Sequence, residues 1–167
     1  MILRRRVLQT AAFILLSTTC VQAQEKIGLA ERRAIASYQQ ERFPALEKAI
    51  QDAAGFPVTV EVVWDQLTVP GDAKYYSEDG YFGKTIFEPI AAGLREVGKD
   101  QMGRDALKQK LKTIRVRYDE KTAVASNYEK GLKFEAGTLD VNWRPFANVD
   151  NFKERVTALV QTLDKNL

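Results

Sequence analysis

Apolar side chains recur every three or four residues in four stretches of this chain, the spacing that places them on one face of an α-helix. These stretches run over residues 29–54, 82–97, 100–111 and 152–163. Pro44 lies inside the first stretch and has no backbone N–H to donate, so we expect a kink or break near Phe43. Pro89 is expected to bend the second stretch, and Asp100 is expected to cap the third.

In four other segments, apolar side chains alternate with polar ones, which is the two-residue period of a β-strand. The segments are residues 58–64, 114–118, 132–135 and 139–143. The last two flank Ala136, Gly137 and Thr138, so they predict a β-hairpin in which the glycine has a positive φ. Strands with one polar side are typical of a sheet that has one face toward water.

The predicted order of elements is α-β-α-α-β-β-β-α. Strands with one apolar face, flanked by amphipathic helices, predict a single α+β domain with about four antiparallel strands and the helices packed on one face. Residues 65–80 show no regular pattern and turn at Pro70 and Gly71. A connection of this length in a compact domain is often functional.

Residues 1–23 have the pattern of a signal peptide. Arginines at positions 4–6 form a basic start, an apolar stretch follows, and Ala23 provides a small side chain for cleavage. We therefore expect a mature domain of residues 24–167 in the periplasm or outside the cell. The paired arginines leave open whether export uses the general secretory or the twin-arginine route.

Removal of this leader limits the classes of function that remain. The full chain has 25 basic and 22 acidic residues, and three of the basic ones are in the leader, so the mature chain has 22 of each. Balanced, interspersed charge is not typical of a protein that binds nucleic acid. No apolar run after residue 23 approaches the roughly 20 residues of a membrane-spanning helix, so none is expected in the mature chain.

The leader also contains Cys20, the one cysteine of the chain, and the chain has no histidine. Acylation of Cys20 is an alternative to its removal, but residues 17–19 lack the apolar side chain expected before a lipidated cysteine. Without histidine or cysteine, the mature chain has no Ser-His-Asp site and no nitrogen or thiolate ligand for zinc, copper or haem. It also has no glycine-rich phosphate-binding motif. We therefore expect no metal and no cofactor.

Aromatic side chains are concentrated in and beside residues 65–80. A row of exposed aromatic groups provides the contact area that is enriched at protein interfaces. The candidate binding residues are Trp64, Tyr75, Tyr76, Tyr81 and Phe82. The leading hypothesis is a non-catalytic binding or interaction module that uses residues 65–82 to bind an envelope protein or a small ligand.

Acidic residues in the same segment give an alternative hypothesis. Asp65, Glu78 and Asp79 are candidates for the general acid and base of a hydrolase that acts on envelope polysaccharide, with the aromatic rings as a platform for a sugar. This chemistry requires two carboxylates at a fixed separation, which the sequence does not specify.

Overall fold

The computed structural model describes residues 27–78, 80–123 and 125–167, so the expected signal peptide lies outside the described residues. The described part of the chain forms a single α+β domain, as predicted. Within these ranges, no helix combines the length and the apolar character needed to cross a membrane.

The helical stretches form where the apolar periodicity predicts them. The α-helices are α1 (Leu29–Glu41), α2 (Phe43–Ala54), α3 (Trp64–Leu67), α4 (Ala73–Ser77), α5 (Glu88–Val97), α6 (Gln101–Lys110) and α7 (Phe152–Asp164). The break between α1 and α2 confirms the effect predicted for Pro44, which lies in the first turn of α2. Asp100 caps α6 as predicted, because its carboxylate accepts a hydrogen bond from the Gly103 N–H at 2.8 Å.

Two further helical turns complete the chain. A π-helix spans Gly83–Phe87 and runs directly into α5, and a 3₁₀-helix spans Tyr128–Gly131. Residues 65–80, which were expected to be irregular, contain most of α3 and the whole of α4. These helices are of four and five residues, too short to show an apolar periodicity in the sequence.

The four strands form one mixed sheet. They are β1 (Thr59–Val62), β2 (Thr113–Arg117), β3 (Leu132–Glu135) and β4 (Thr138–Asn142), in the spatial order β1-β2-β4-β3. The β1–β2 and β2–β4 pairs are parallel, and only β3 and β4 are antiparallel. The predicted antiparallel sheet is therefore wrong, because helices between β1 and β2 return the chain to the end of the sheet at which β1 begins.

The predicted hairpin is confirmed at β3 and β4. Ala136 and Gly137 join these strands with φ values of 49° and 83°. Two consecutive residues with positive φ are typical of a type I′ turn, whose twist matches that of the paired strands.

One face of the sheet is apolar and carries the core. Val60, Ile114, Leu139 and Phe134 lie side by side across the four strands. The buried apolar residues of α2, α5 and α7 belong to the same core. The crossing of α5 and α7 is close, since a Cβ atom on Gly93 would lie 2.5 Å from the Leu159 Cδ2 atom.

Helix α7 also buries an arginine. Arg155 has no exposed surface, and its guanidinium donates hydrogen bonds to the carbonyls of Ala147, Asn148 and Asn151. It lies 4.4 Å from the centroid of the Tyr128 ring, a cation–π distance. Burial lowers the pKa of Arg155 from its ordinary value, because desolvation penalises the charged form. The side chain thus ties residues 147–151 to α7.

We expect Arg155→Ala to lower the free energy of unfolding by about 3 kcal/mol or more, because it leaves a cavity and several carbonyls without donors. Urea denaturation followed by circular dichroism measures this change. Lys153→Ala, an exposed neighbour on α7, is the control and should change the value by no more than about 0.5 kcal/mol. Equal stability of the two variants would show that Arg155 does not hold this segment.

Candidate functional site

The structure leaves the predicted acidic residues in water. Asp65 lies in the first turn of α3 and Glu78 follows α4, and both are exposed. Asp79 lies outside the described residues. A carboxylate that acts as a general acid at neutral pH needs desolvated surroundings, and neither Asp65 nor Glu78 has them.

Two of the five predicted aromatic binding residues belong to the core. Tyr76 is 2% exposed and Phe82 is fully buried, so the expectation of an exposed aromatic row is wrong at these positions. Trp64 is partly buried, and its ring packs edge-on against that of Phe43, with centroids 5.0 Å apart. The core needs large apolar groups beneath α4, and the sequence does not show which aromatic side chains supply them.

Tyr81 is exposed, and Tyr75 is half-buried but still reaches the surface. The Tyr81 side chain is 40% exposed, and its ring centroid lies 5.9 Å from that of Tyr75. The ring of Phe146 lies 5.4 Å from Tyr75 on the other side. Adjacent residues on a helix point about 100° apart, which explains why Tyr75 faces outward while Tyr76 faces the core.

Tyr76 holds the connection between α3 and α4 in place. Its hydroxyl donates to the Leu67 carbonyl at 2.5 Å and accepts from the Val69 N–H at 2.9 Å. Burial raises the pKa of Tyr76 to about 12, and the hydrogen bond from Val69 acts in the opposite direction. This buried phenol therefore fixes the position of α4.

A cavity of about 110 Å³ lies between α1 and α4. A water molecule occupies about 30 Å³ in the liquid, so the cavity holds a few waters or one small chemical group. Polar side chains contribute most of its lining, which consists of Ala34, Ser37, Tyr38, Glu41, Arg42, Tyr76 and Ser77.

Tyr38 is the central residue of this cavity. Its side chain is 6% exposed, and its hydroxyl lines the cavity without a hydrogen bond to a described residue. The hydroxyl is not one of the fully buried unpaired polar atoms of the described residues, so it keeps surface that a small molecule or water can reach. Burial, and next the charge of Glu88, raise the pKa of Tyr38 above its ordinary value, while the nearby Arg42 opposes this. The phenol is therefore neutral at pH 7 and can both donate and accept a hydrogen bond.

The junction of the π-helix and α5 places the carboxylate of Glu88 near Tyr38, although Glu88 does not line the cavity. Gly83 is the first residue of the π-helix, and a Cβ atom there would lie 2.9 Å from the Glu88 Oε1 atom and 3.6 Å from the Tyr38 Oη atom. A side chain at position 83 would therefore require the Glu88 carboxylate to move, while its distance to the Tyr38 hydroxyl would be an ordinary contact. π-Helical turns occur frequently at functional sites.

The sequence contained little sign of this site. Tyr38 belongs to the apolar stripe of α1, and an aromatic residue in such a stripe is ordinarily a core residue. Only the neighbouring Ser37 and Arg42 distinguish this part of the helix. Pairing of α1 with α4 depends on contacts between distant parts of the chain, so the cavity becomes visible only in the folded domain.

Among the residues that the structure describes, no three carboxylates are grouped closely enough to hold a metal ion. Comparison of the chain with protein-family models, with curated proteins and with solved structures found no match in any of the three. The chemistry of the cavity is therefore the basis for assigning a function.

The two buried phenols should respond differently to loss of the hydroxyl. Tyr76→Phe leaves the Leu67 carbonyl and the Val69 N–H without a partner, so we expect it to lower the free energy of unfolding by about 1–3 kcal/mol. Tyr38→Phe removes a hydroxyl with no protein partner and should change stability by less than about 1 kcal/mol. Urea denaturation compares the two, and a larger loss for Tyr38→Phe would mean that its hydroxyl has a stabilising contact.

The raised pKa of Tyr76 predicts that the protein loses stability at alkaline pH. The pKa of this phenol rises from 10.0 to about 12 on folding, so its stabilising effect is complete below pH 10 and is lost as the pH rises toward 12. In this window the wild type should lose about 1.4 kcal/mol per pH unit more than Tyr76→Phe does. Urea denaturation of both proteins at several pH values from about 9 to about 11.5 tests this. Parallel stability curves for the two proteins would contradict it.

Proposed function

We propose that this protein is an exported, non-catalytic binding protein whose ligand enters the cavity between α1 and α4. The observation that supports this best is the Tyr38 hydroxyl, which faces the cavity and forms no hydrogen bond with a described residue. Such a hydroxyl is available to donate a hydrogen bond to a ligand and to accept one from it.

The lining favours a neutral, hydroxylated group as the ligand. Glu41 and Arg42 contribute one charge of each sign, and Ser37 and Ser77 both donate and accept hydrogen bonds. The Tyr38 ring adds an apolar surface of the kind that packs against the C–H groups of a sugar or polyol. Pockets for drug-sized ligands are about 300 Å³ or larger, so this cavity suits a small polyol or the end of a longer glycan.

Part of the 65–82 segment keeps its predicted role in this proposal. Tyr76 and Ser77 of α4 form one wall of the cavity. Tyr75 and Tyr81 stay candidates for contact with the remainder of a larger ligand or with an envelope protein, because their rings lie together at the surface. No observation in the described residues favours the alternative, a carboxylate-dependent hydrolase.

Export to the periplasm or beyond is proposed from the leader pattern. The basic start, apolar stretch and small residue at position 23 are the features that support it. A binding protein for glycan ends would meet its ligand in the bacterial envelope.

Protein-observed NMR tests the ligand site. The protein is recovered from the periplasmic fraction, where its mass should match a chain that begins at Gln24, and is titrated separately with glycerol, lactate and ethanolamine. We expect glycerol to shift the amide signals of Ser37 and Ser77 with weak, millimolar affinity, since so small a ligand makes few contacts. Tyr38→Phe should weaken this binding several-fold.

Tyr118→Phe is the matched control, because Tyr118 follows β2 and lies outside the cavity lining. Preferential binding of lactate would show that the site binds anions, and preferential binding of ethanolamine would show that it binds cations. Either result would contradict the proposal of a neutral ligand. If none of the three probes shifts signals at the cavity, the proposed site is wrong. Retention of the leader in the purified protein would contradict the export part of the proposal.

A further inference from the structure

The second face of the sheet carries polar side chains. Glu61, Arg115 and Lys133 are exposed on it in the part of the chain that the structure describes, and at one end a turn at residues 119–122 covers Asn142. Two of the three strand pairs are parallel, and sheets with parallel strands usually have both faces covered. This open face therefore differs from the usual architecture of such sheets.

One row of charges on this face alternates in sign across the four strands, and Arg117 and Glu135 lie in the rows beside it, the latter 2.5 Å from the Lys133 ammonium. The row follows the sheet order and consists of Glu61 on β1, Arg115 on β2, Asp140 on β4 and Lys133 on β3. Arg115 contacts Glu61 at 3.1 Å, and Asp140 accepts hydrogen bonds from Arg117 at 2.9 and 3.0 Å. From the β1 edge the signs of the four charges are negative, positive, negative and positive. From the β3 edge the order is reversed, so the row begins with a positive charge.

Such a row is complementary to itself after a two-fold rotation. In this arrangement the polar faces of two sheets lie against each other, and the two-fold axis runs between them, parallel to the strands. The rotation places β1 of one copy over β3 of the other, and β2 over β4. Glu61 then faces Lys133 of the second copy, and Arg115 faces Asp140. In the adjacent row, Thr113 faces Thr138, so that row opposes no like charges there.

We propose that this face binds a second copy of the same chain, through a two-fold axis parallel to the strands. An axis in the same plane but perpendicular to the strands would place Glu61 over Glu61 and Arg115 over Arg115. Opposed like charges are unfavourable, so the row of charges selects one of the two arrangements.

The size of the face predicts a weak complex. Four strands of about five residues cover about 20 Å by about 16 Å, which is well below the roughly 800 Å² per partner of a stable interface. The contact is also polar, and desolvation of charges offsets much of their attraction. We therefore expect a dimer that forms at high protein concentration and dissociates in salt.

Sedimentation equilibrium of the mature protein measures this association. We expect dimers at protein concentrations of a few hundred micromolar and about 0.01 M NaCl, and monomers at about 1 M NaCl, where the Debye length falls to about 3 Å. Glu61→Lys puts two lysines opposite each other, and Lys133→Glu puts two glutamates opposite each other. Each variant alone should dimerise at least tenfold more weakly than the wild type.

A mixture of the two variants distinguishes contact between copies from an effect within one chain. Each copy then presents charges opposite to those of the other, so the mixture should form heterodimers about as well as the wild type does. Lys108→Glu is the control, because it makes the same change of charge at an exposed position on α6 and should leave dimerisation unchanged. A monomeric wild type in low salt, or failure of the mixture to associate, would overturn the proposal.

Discussion

The conformation of this domain depends on one buried cation. A guanidinium without exposed surface is costly to desolvate, so the fold must provide it with partners. Arg155 finds them in backbone carbonyls of the segment that precedes α7 and in the face of the Tyr128 ring, while its Nε atom has no hydrogen-bond partner among the described residues. Carbonyls can reach the guanidinium only if this segment takes one particular path. The charge therefore selects a backbone conformation.

The path of this segment also positions Phe146, which contacts elements near the candidate site. Phe146 has a φ of 62°, a conformation that a non-glycine residue rarely adopts without support. In this position its ring packs against Tyr75 and Tyr76, and its N–H donates to the Thr85 hydroxyl in the π-helix at 3.4 Å. The segment that precedes α7 thus contacts both α4, which contributes Tyr76 and Ser77 to the cavity, and the π-helix, which leads into α5.

Residue type and position in the sequence gave only part of the candidate site. The sequence shows that aromatic residues are concentrated in the 65–82 segment, but it does not show which of their side chains are buried. Tyr75 and Tyr76 are neighbours of the same type, and one lies at the surface while the other is buried. Tyr38 looked like an ordinary member of an apolar stripe. Its hydroxyl lacks a partner because none of the other described elements places a suitably oriented hydrogen-bonding group beside it. The pattern of residues near Tyr38 in the sequence contains no information about this.

Local patterns in the sequence determined the elements of this protein. The period of apolar residues predicted the long helices and the strands. Pro44 predicted the break between α1 and α2, and Ala136 with Gly137 predicted the hairpin. They did so because periodicity, proline and turn residues act over a few neighbouring positions. The tertiary structure alone decided the directions of the strands, the burial of Arg155 and the cavity at Tyr38. Each of these depends on which distant segments meet, and that is governed by packing and by the cost of leaving buried polar groups unpaired.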